Sequence, residues 1–257
     1  MYDILENLLK DHRENIIFKC FSIWHFLFMF IIFGGIITAI ILLKNRSQKT
    51  KQKVLNIVIT SVFALYILDF FLMPFAYGFI EVEKLPFHIC TLSCVLCFIS
   101  RHNKFLSKFR LQFAILGLIG NVCYVLIPAG SEWAQVAPYS YRVIQTLVYH
   151  GLMTMYGILA IIYDDNDMNW KHIYKDLIII IIIVLWALIG NYAYTNETTF
   201  RNWFFVVQDP FGAIPLNISR YIMPFIITFF MLLADIIIRF IYFCLKKILK
   251  VISNFNK

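Results

Sequence analysis

One cysteine and two histidines are the side chains in this sequence best suited to chemistry. Cys90 follows His88 by two residues, and His150 lies in a later apolar segment. A cysteine thiol becomes a nucleophile toward acyl groups when a nearby histidine takes its proton. Residues two apart on an ideal helix face about 200° away from each other, so a Cys90–His88 pair needs an irregular helix start, whereas His150 approaches from another helix. We therefore predict Cys90 as the nucleophile and His150 or His88 as the base.

Pro86 predicts where the helix that carries Cys90 begins. Proline suits the first turn of a helix, because its missing N–H group would have no intrahelical partner there. The helix is thus expected to include Pro86 in its first turn, with His88 in the same turn.

Four further polar residues in apolar segments are predicted to bind substrate: Asp69, Asn121, Asn191 and Tyr192. Polar side chains inside a bilayer are costly and are functional candidates by default. With the orientation given below, they reach a similar depth on the outer side, where the helices of a bundle can form one cavity. The two asparagines could instead form interhelical hydrogen bonds. A lone carboxylate such as Asp69 must be paired or protonated.

Other polar residues are interpreted as structural. Asp235 and Arg239 are four residues apart on one apolar segment and are expected to form an ion pair. His25 lies close to the predicted membrane interface and is interpreted as an interfacial histidine. Cys94 and Cys97 are interpreted as core residues, because no fourth ligand for a metal ion is apparent. We predict no metal site and no cofactor.

The composition requires lipid as the solvent of this chain. Of its 257 residues, 61% are hydrophobic and 15% are charged, against about 45–50% and about 25% in soluble domains. A spanning helix needs about 20 apolar residues. The sequence therefore predicts an all-α membrane protein, a bundle of about seven transmembrane helices near residues 22–43, 54–80, 85–100, 111–127, 143–163, 177–194 and 221–245.

The positions of lysine and arginine predict the orientation. They concentrate after the first span, after the third span and in the C-terminal tail, which places the N-terminus outside and the C-terminus in the cytoplasm of a multi-pass protein of the cell membrane. This placement also accounts for the net charge of +8 without nucleic acid as a partner. Membrane lipids are the expected partners.

The predicted domain organisation has three parts. Residues 1–20 form an amphipathic interfacial segment, residues 21–245 form a single transmembrane bundle domain, and residues 246–257 form a basic cytoplasmic tail. The aromatic stretch 195–220 is predicted to be a re-entrant or surface-lying loop that covers a cavity.

Three short motifs resemble those of a known family. The segment Leu85-Pro86-Phe87-His88-Ile89-Cys90 resembles the Leu-Pro-Leu-His-Leu-Cys signature of the bacterial YwaF family of integral membrane proteins, and the match continues through His150-Gly151 to Gly190-Asn191-Tyr192. The resemblance extends from about residue 20 to 245. That family is distantly similar to a eukaryotic transmembrane family of phospholipid acyltransferases that use an intramembrane cysteine and histidine. A remoter likeness is to androgen-induced multi-span hydrolases of fatty acid esters, which use threonine and histidine.

Three hypotheses about function remain open. In the first, the chain is a lipid-active acyltransferase or hydrolase in which Asn121 or Asn191 is an oxyanion donor or substrate clamp. In the second, it is a transporter or a substrate-binding subunit of a transport complex, in which Asp69 and the histidines ligate a small or lipidic molecule and a protein partner supplies energy. In the third, the polar groups only hold the helices together.

Overall fold

The structure is a computed structural model that describes residues 9, 16–77, 82–164, 168–195, 201–210 and 212–255. Over these ranges all regular structure is helical, as the sequence predicts. Most of the segment predicted to be interfacial, residues 1–20, lies outside them. The α-helices, numbered along the chain, are α1 Ile23–Leu43, α2 Gln48–Tyr77, α3 Ile89–His102, α4 Arg110–Leu126, α5 Ala129–Trp133, α6 Tyr141–Tyr163, α7 Ile173–Tyr194 and α8 Leu216–Phe255.

Six of the described helices are long and apolar enough to cross a membrane. They are Ile23–Leu43, Gln48–Leu72, Leu106–Leu126, Tyr141–Tyr163, Trp170–Tyr194 and Leu216–Lys247. The seventh predicted span, near residues 85–100, is the 14-residue helix α3. At 1.5 Å per residue α3 is about 21 Å long, short of a hydrocarbon core of about 30 Å. The count of seven spans is therefore not confirmed, and the orientation of the termini stays a prediction.

The first of two compact units comprises Met1–Asn166. Within it α6 packs against α1, α2 and α4, while α3 packs against α2 and α4. Helices α2, α3, α4 and α6 thus form a closed four-helix group, which α1 joins through α6. The apolar windows of the spans that contain α4 and α6 are 56% and 61% buried, against 11% for α1. The centre of this unit therefore lies along α4 and α6.

Glycines allow α4 to approach α3 and α6 closely. A Cβ atom on Gly157 of α6 would lie 2.8 Å from Leu118 Cβ and 3.0 Å from the Ala114 carbonyl oxygen of α4. A Cβ atom on Gly120 of α4 would lie 2.8 Å from Ile89 Cγ2 at the start of α3. Small residues at helix contacts are the usual means by which membrane helices approach each other. These three helices carry most of the predicted site residues of this unit.

A buried polar network joins the start of α2 to the ends of α3 and α6. It lies at the opposite end of these helices from the predicted site residues. Arg101, at the end of α3, lies 2.8 Å from the carboxylate of Asp164, which follows α6, and the two side chains are 2% and 4% exposed. Its other nitrogens donate to Gln52 Oε1 of α2 at 2.7 Å and to the Tyr156 hydroxyl of α6 at 3.0 Å. Because a buried charge is tolerated only with such partners, the network holds these helix ends in one arrangement.

The second unit, Asp167–Lys257, packs α7 against α8. Arg239 of α8 is fully buried and binds two carboxylates, Asp176 of α7 and Asp235 one turn earlier on α8. It also donates to the Met168 carbonyl oxygen at 3.0 Å. The expected ion pair on α8 is confirmed, with an N–O distance of 3.1 Å. Helix α8 continues past residue 245 into the predicted tail, and the organisation as a single bundle domain stays a prediction.

Candidate functional site

Helices α4 and α6 bring His150 and Asn121 into direct contact. The His150 Nδ1 atom is 2.7 Å from the Asn121 Oδ1 atom, and both residues are buried. The contact depends on the close packing of α4 and α6, because Gly157 lies two turns along α6 from His150 and Leu118 lies one turn along α4 from Asn121. Two of the predicted site residues therefore meet in the first unit.

The hydrogen bonds of Asn121 define which imidazole nitrogen carries the proton. The Asn121 amide nitrogen donates to the Gly117 carbonyl oxygen at 2.7 Å, so the amide oxygen faces His150 and can only accept. A neutral His150 imidazole therefore carries its proton on Nδ1 and keeps its lone pair on Nε2. No residue in the described part of the chain hydrogen-bonds to that Nε2 atom. The predicted role of His150 as a base requires such a lone pair.

Two tyrosines that the sequence analysis missed hold the imidazole in place. The ring of Tyr124 stacks on His150 with centroids 3.9 Å apart and an interplanar angle of 13°, and the ring of Tyr149 meets it edge-on at 5.2 Å. The Tyr124 hydroxyl is also hydrogen-bonded to the Ser131 hydroxyl at 3.0 Å. Tyr124 follows Asn121 by three residues, so helical spacing would have placed it on the same face. The sequence carries no comparable signal for Tyr149.

Cys90 lies among the residues that flank the His150–Asn121 pair. Its thiol donates to the Gly120 carbonyl oxygen at 3.5 Å, and its own carbonyl oxygen accepts the Tyr149 hydroxyl at 3.0 Å. Gly120 precedes Asn121 and Tyr149 precedes His150 in the sequence. Cys90 is half-buried in the first turn of α3, where backbone N–H groups stabilise negative charge. The predicted nucleophile and base therefore occupy one region of the first unit.

Helix α3 begins later than predicted. Its first residue is Ile89, with His88 as the N-cap, and Pro86 lies in the turn before the helix because the chain first forms a 3₁₀ turn at Val82–Lys84. His88 has extended backbone angles, φ −76° and ψ 146°. The separation of about 200° expected between His88 and Cys90 on an ideal helix therefore does not apply. The irregular helix start that a Cys90–His88 pair requires is present.

Asp69 is buried and paired with Lys84. The Lys84 Nζ atom lies 2.5 Å from an Asp69 oxygen. The Lys84 carbonyl oxygen accepts the Tyr66 hydroxyl at 2.9 Å. A partner for Asp69 was expected from the sequence, but not its identity, because Lys84 lies 15 residues away in a connection with few bases. This pair fixes the segment that leads into His88.

His25 is fully buried in the first turn of α1, and its interfacial position stays a prediction. Its Nδ1 atom accepts the Phe21 N–H at 3.0 Å and its Nε2 atom donates to the Val125 carbonyl oxygen at 2.9 Å. Both ring nitrogens are therefore engaged, and His25 connects the start of α1 to the end of α4.

Asn191 and Tyr192 belong to the second unit. The Asn191 amide donates to the Trp203 carbonyl oxygen at 3.0 Å and accepts the Trp203 N–H at 2.6 Å, so it holds the loop that follows α7. Tyr192 is 63% exposed. A pocket of about 160 Å³ in this unit is lined by Asn191, Tyr192, Thr195, Val207, Leu216 and Arg220.

The site in the first unit combines a thiol, an imidazole with a lone pair on Nε2 and an amide that orients the imidazole. Cysteine–histidine–asparagine sets of this kind perform acyl transfer in unrelated folds. Among the residues that the structure describes, no group of three or more His, Cys, Asp or Glu side chains is arranged to hold a metal ion.

The fold and this site define a multi-pass helical membrane protein with polar groups buried between its helices. The model of the TMEM164 family matches residues 20–242, and the chain belongs to this family of transmembrane proteins. No curated protein and no solved structure matched the chain. The match does not confirm the YwaF assignment in particular. It supports a membrane location, while the cell membrane specifically stays a prediction.

Proposed function

We propose that the first unit transfers or hydrolyses an acyl group of a membrane lipid through Cys90. The observation that carries the proposal is the hydrogen bond between Asn121 and His150, since it directs the proton to Nδ1 and leaves Nε2 as a base. The resemblance to multi-span acyltransferases that use cysteine and histidine supports the same chemistry.

The reaction would proceed in two balanced steps. His150 Nε2 takes the thiol proton of Cys90 while the sulfur attacks the ester carbonyl of a lipid, and the leaving alcohol then takes that proton from the imidazolium as a thioester forms. In the second step the hydroxyl of another lipid, or water, gives its proton to His150 and cleaves the thioester, which restores the thiol. Asn121 orients His150 here, and one N–H of its amide donates to Gly117, so its second N–H is the one that could serve as an oxyanion donor. Backbone N–H groups in the first turn of α3 are suited to the oxyanion.

The test uses the purified full chain in detergent micelles with an isotope-labelled phospholipid and a lysophospholipid acceptor. We expect labelled product from the wild type and a labelled thioester on Cys90, identified by mass spectrometry. Cys90→Ser and His150→Gln should each lower the rate by about 10²-fold or more, which is the range of a lost base or nucleophile. Cys123→Ser is the matched control, since this thiol is exposed on α4, and it should retain the rate.

His88→Gln decides between the two candidate bases. If His150 is the base, His88→Gln keeps most of the rate, whereas a loss that only His88→Gln produces would assign the role to His88. Unchanged lipid products in all of the Cys90, His88 and His150 variants would contradict the proposal.

A transport function is the second candidate, and the pairing of buried Asp69 with the partly exposed Lys84 favours it. Charged pairs inside a helical bundle relay protons or bind substrate in transporters. This function predicts that the chain co-purifies with a stoichiometric partner that supplies energy, and that Asp69→Asn abolishes uptake without affecting lipid products. A chain that is active alone in micelles would argue against it.

A further inference from the structure

A second candidate site lies at one end of the helix pair in the second unit. It is the pocket of about 160 Å³ between the last turn of α7, the loop 201–210 and the first turns of α8. The lining is almost wholly apolar, with Val207 and Leu216 among its walls, and Arg220 is the charged residue of the lining.

The walls of this pocket are held by hydrogen bonds from side chains to the backbone. The Val207 N–H donates to Asn202 Oδ1 at 3.2 Å, and the Val207 carbonyl oxygen accepts the Ser219 hydroxyl at 3.1 Å. Ser219 is fully buried, and Asn191 fixes the same loop through both backbone groups of Trp203. The pocket is therefore formed by the protein itself and does not depend on a ligand for its shape.

Arg220 gives the pocket a positive charge that the described residues do not neutralise. Its side chain is exposed, its guanidinium lies 6.0 Å from the ring centre of Tyr221, and no described carboxylate forms an ion pair with it. The carboxylate of the neighbouring loop, Asp209, instead accepts the N–H groups of Ala213 and Ile214 at 2.7 and 3.0 Å. The lining thus carries one positive charge beside apolar walls.

The pocket lies where two candidate spans end and begin, which is the depth expected of lipid headgroups. Helices α7 and α8 are both candidate spans, so the end of α7 and the start of α8 lie at the same face of the membrane. Tyr192, Tyr194 and Tyr221 surround this end and are 63%, 43% and 69% exposed. Exposed tyrosines mark the membrane interface, where a cation meets the phosphates of lipids.

We propose that this pocket binds the headgroup end of an anionic phospholipid, with Arg220 on the phosphate and the apolar walls around the first methylenes of one acyl chain. A volume of 160 Å³ equals only about five water volumes of about 30 Å³ each. The rest of the lipid therefore remains in the bilayer. The site is independent of Cys90 and of acyl transfer.

The test measures lipid retention by native mass spectrometry, with the full chain in micelles that contain either phosphatidylglycerol or phosphatidylcholine with identical chains. The wild type should retain phosphatidylglycerol preferentially. Arg220→Gln should weaken that retention about tenfold, because a charge-assisted hydrogen bond is lost, and should weaken retention of phosphatidylcholine less, because its headgroup has no net charge. Arg220→Lys should keep the preference in part. Lys171→Gln is the matched control, since it removes an exposed base at the opposite end of α7, and it should bind as the wild type does.

A second variant keeps the test informative if Arg220→Gln does not fold. Leu216→Trp fills the pocket from a partly exposed wall position and should displace phosphatidylglycerol while Arg220 remains. Equal retention of the two lipids by the wild type, or unchanged retention in both variants, would overturn the proposal. Displacement of the lipid by millimolar inorganic phosphate alone would assign the pocket to a free anion and would also overturn it.

Discussion

Replacing Gly157 with alanine should force α4 and α6 apart. The added methyl group would lie 2.8 Å from Leu118 Cβ and 3.0 Å from the Ala114 carbonyl oxygen, where ordinary contacts begin at 3.4 Å. A backbone oxygen inside a helix cannot rotate away as the end of a long side chain can. The two helices must therefore separate by several tenths of an ångström, which would also lengthen the hydrogen bond between His150 and Asn121.

The expected loss in the free energy of unfolding of Gly157→Ala follows from comparison with Gly34→Ala. Overpacking of a close contact costs about 1–3 kcal/mol, whereas alanine in a helix interior is about 0.5–1 kcal/mol more favourable than glycine. A Cβ atom on Gly34 of α1 would have no atom within 4 Å, so Gly34→Ala gains only the second effect. Because that gain is common to both variants, Gly157→Ala should have a free energy of unfolding about 1–3 kcal/mol below that of Gly34→Ala.

The assay is equilibrium unfolding of the purified chain in mixed micelles, with increasing SDS and the loss of helical circular dichroism as the signal. The reasoning about helix packing is refuted if Gly157→Ala unfolds at the same SDS fraction as Gly34→Ala or at a higher one. The Cys90-dependent rate of each variant, measured beside it, should fall for Gly157→Ala and stay unchanged for Gly34→Ala.

The remaining predictions concern buried polar groups and use the same SDS titration. His25→Ala should lower the free energy of unfolding by about 1–3 kcal/mol, because the Val125 carbonyl oxygen loses its partner; no loss would show that the hydrogen bond is not formed. Lys84→Met should lower the free energy of unfolding by about 2–4 kcal/mol, because Asp69 loses its cation. The loss is smaller than for a fully buried pair since Lys84 is a quarter exposed. Adding Asp69→Leu should recover most of the lost free energy. Arg239→Met should cost about 3–5 kcal/mol, because two buried carboxylates lose their cation; a stable variant would mean that these carboxylates are neutral.

The apolar helices could be predicted from the sequence because their cause is local. A run of about 20 apolar residues forms a helix in lipid whatever surrounds it, and the structure has such helices at six of the predicted spans. The start of α3 could not be predicted in this way. It depends on the turn at Val82–Lys84, which Tyr66 holds from another helix, so the position of Pro86 was insufficient.

The contacts of the candidate site could be predicted only in part. Depth along a helix follows from sequence position, which suggested that Asn121 and His150 lie at one level. The rotation of each helix about its axis, which makes them meet, depends on packing at Gly157 and Gly120 and has no clear signature in a single sequence. For Asp69, the cost of an unpaired buried charge indicated that a partner must exist. That the partner is Lys84 could not be predicted, because it depends on the path of the chain after α2.

The dual hydrogen bonding of Asn121 constrains how this chain can change over generations. One side-chain amide both donates to a backbone carbonyl and accepts from an imidazole, and among the common side chains only asparagine and glutamine offer both groups on one amide. No single-nucleotide change in an asparagine codon yields another amide, and glutamine adds a methylene where the space is filled. Drift at this codon between the two amides therefore passes through a side chain without an amide, and we expect natural variation around this residue to arise at its neighbours first.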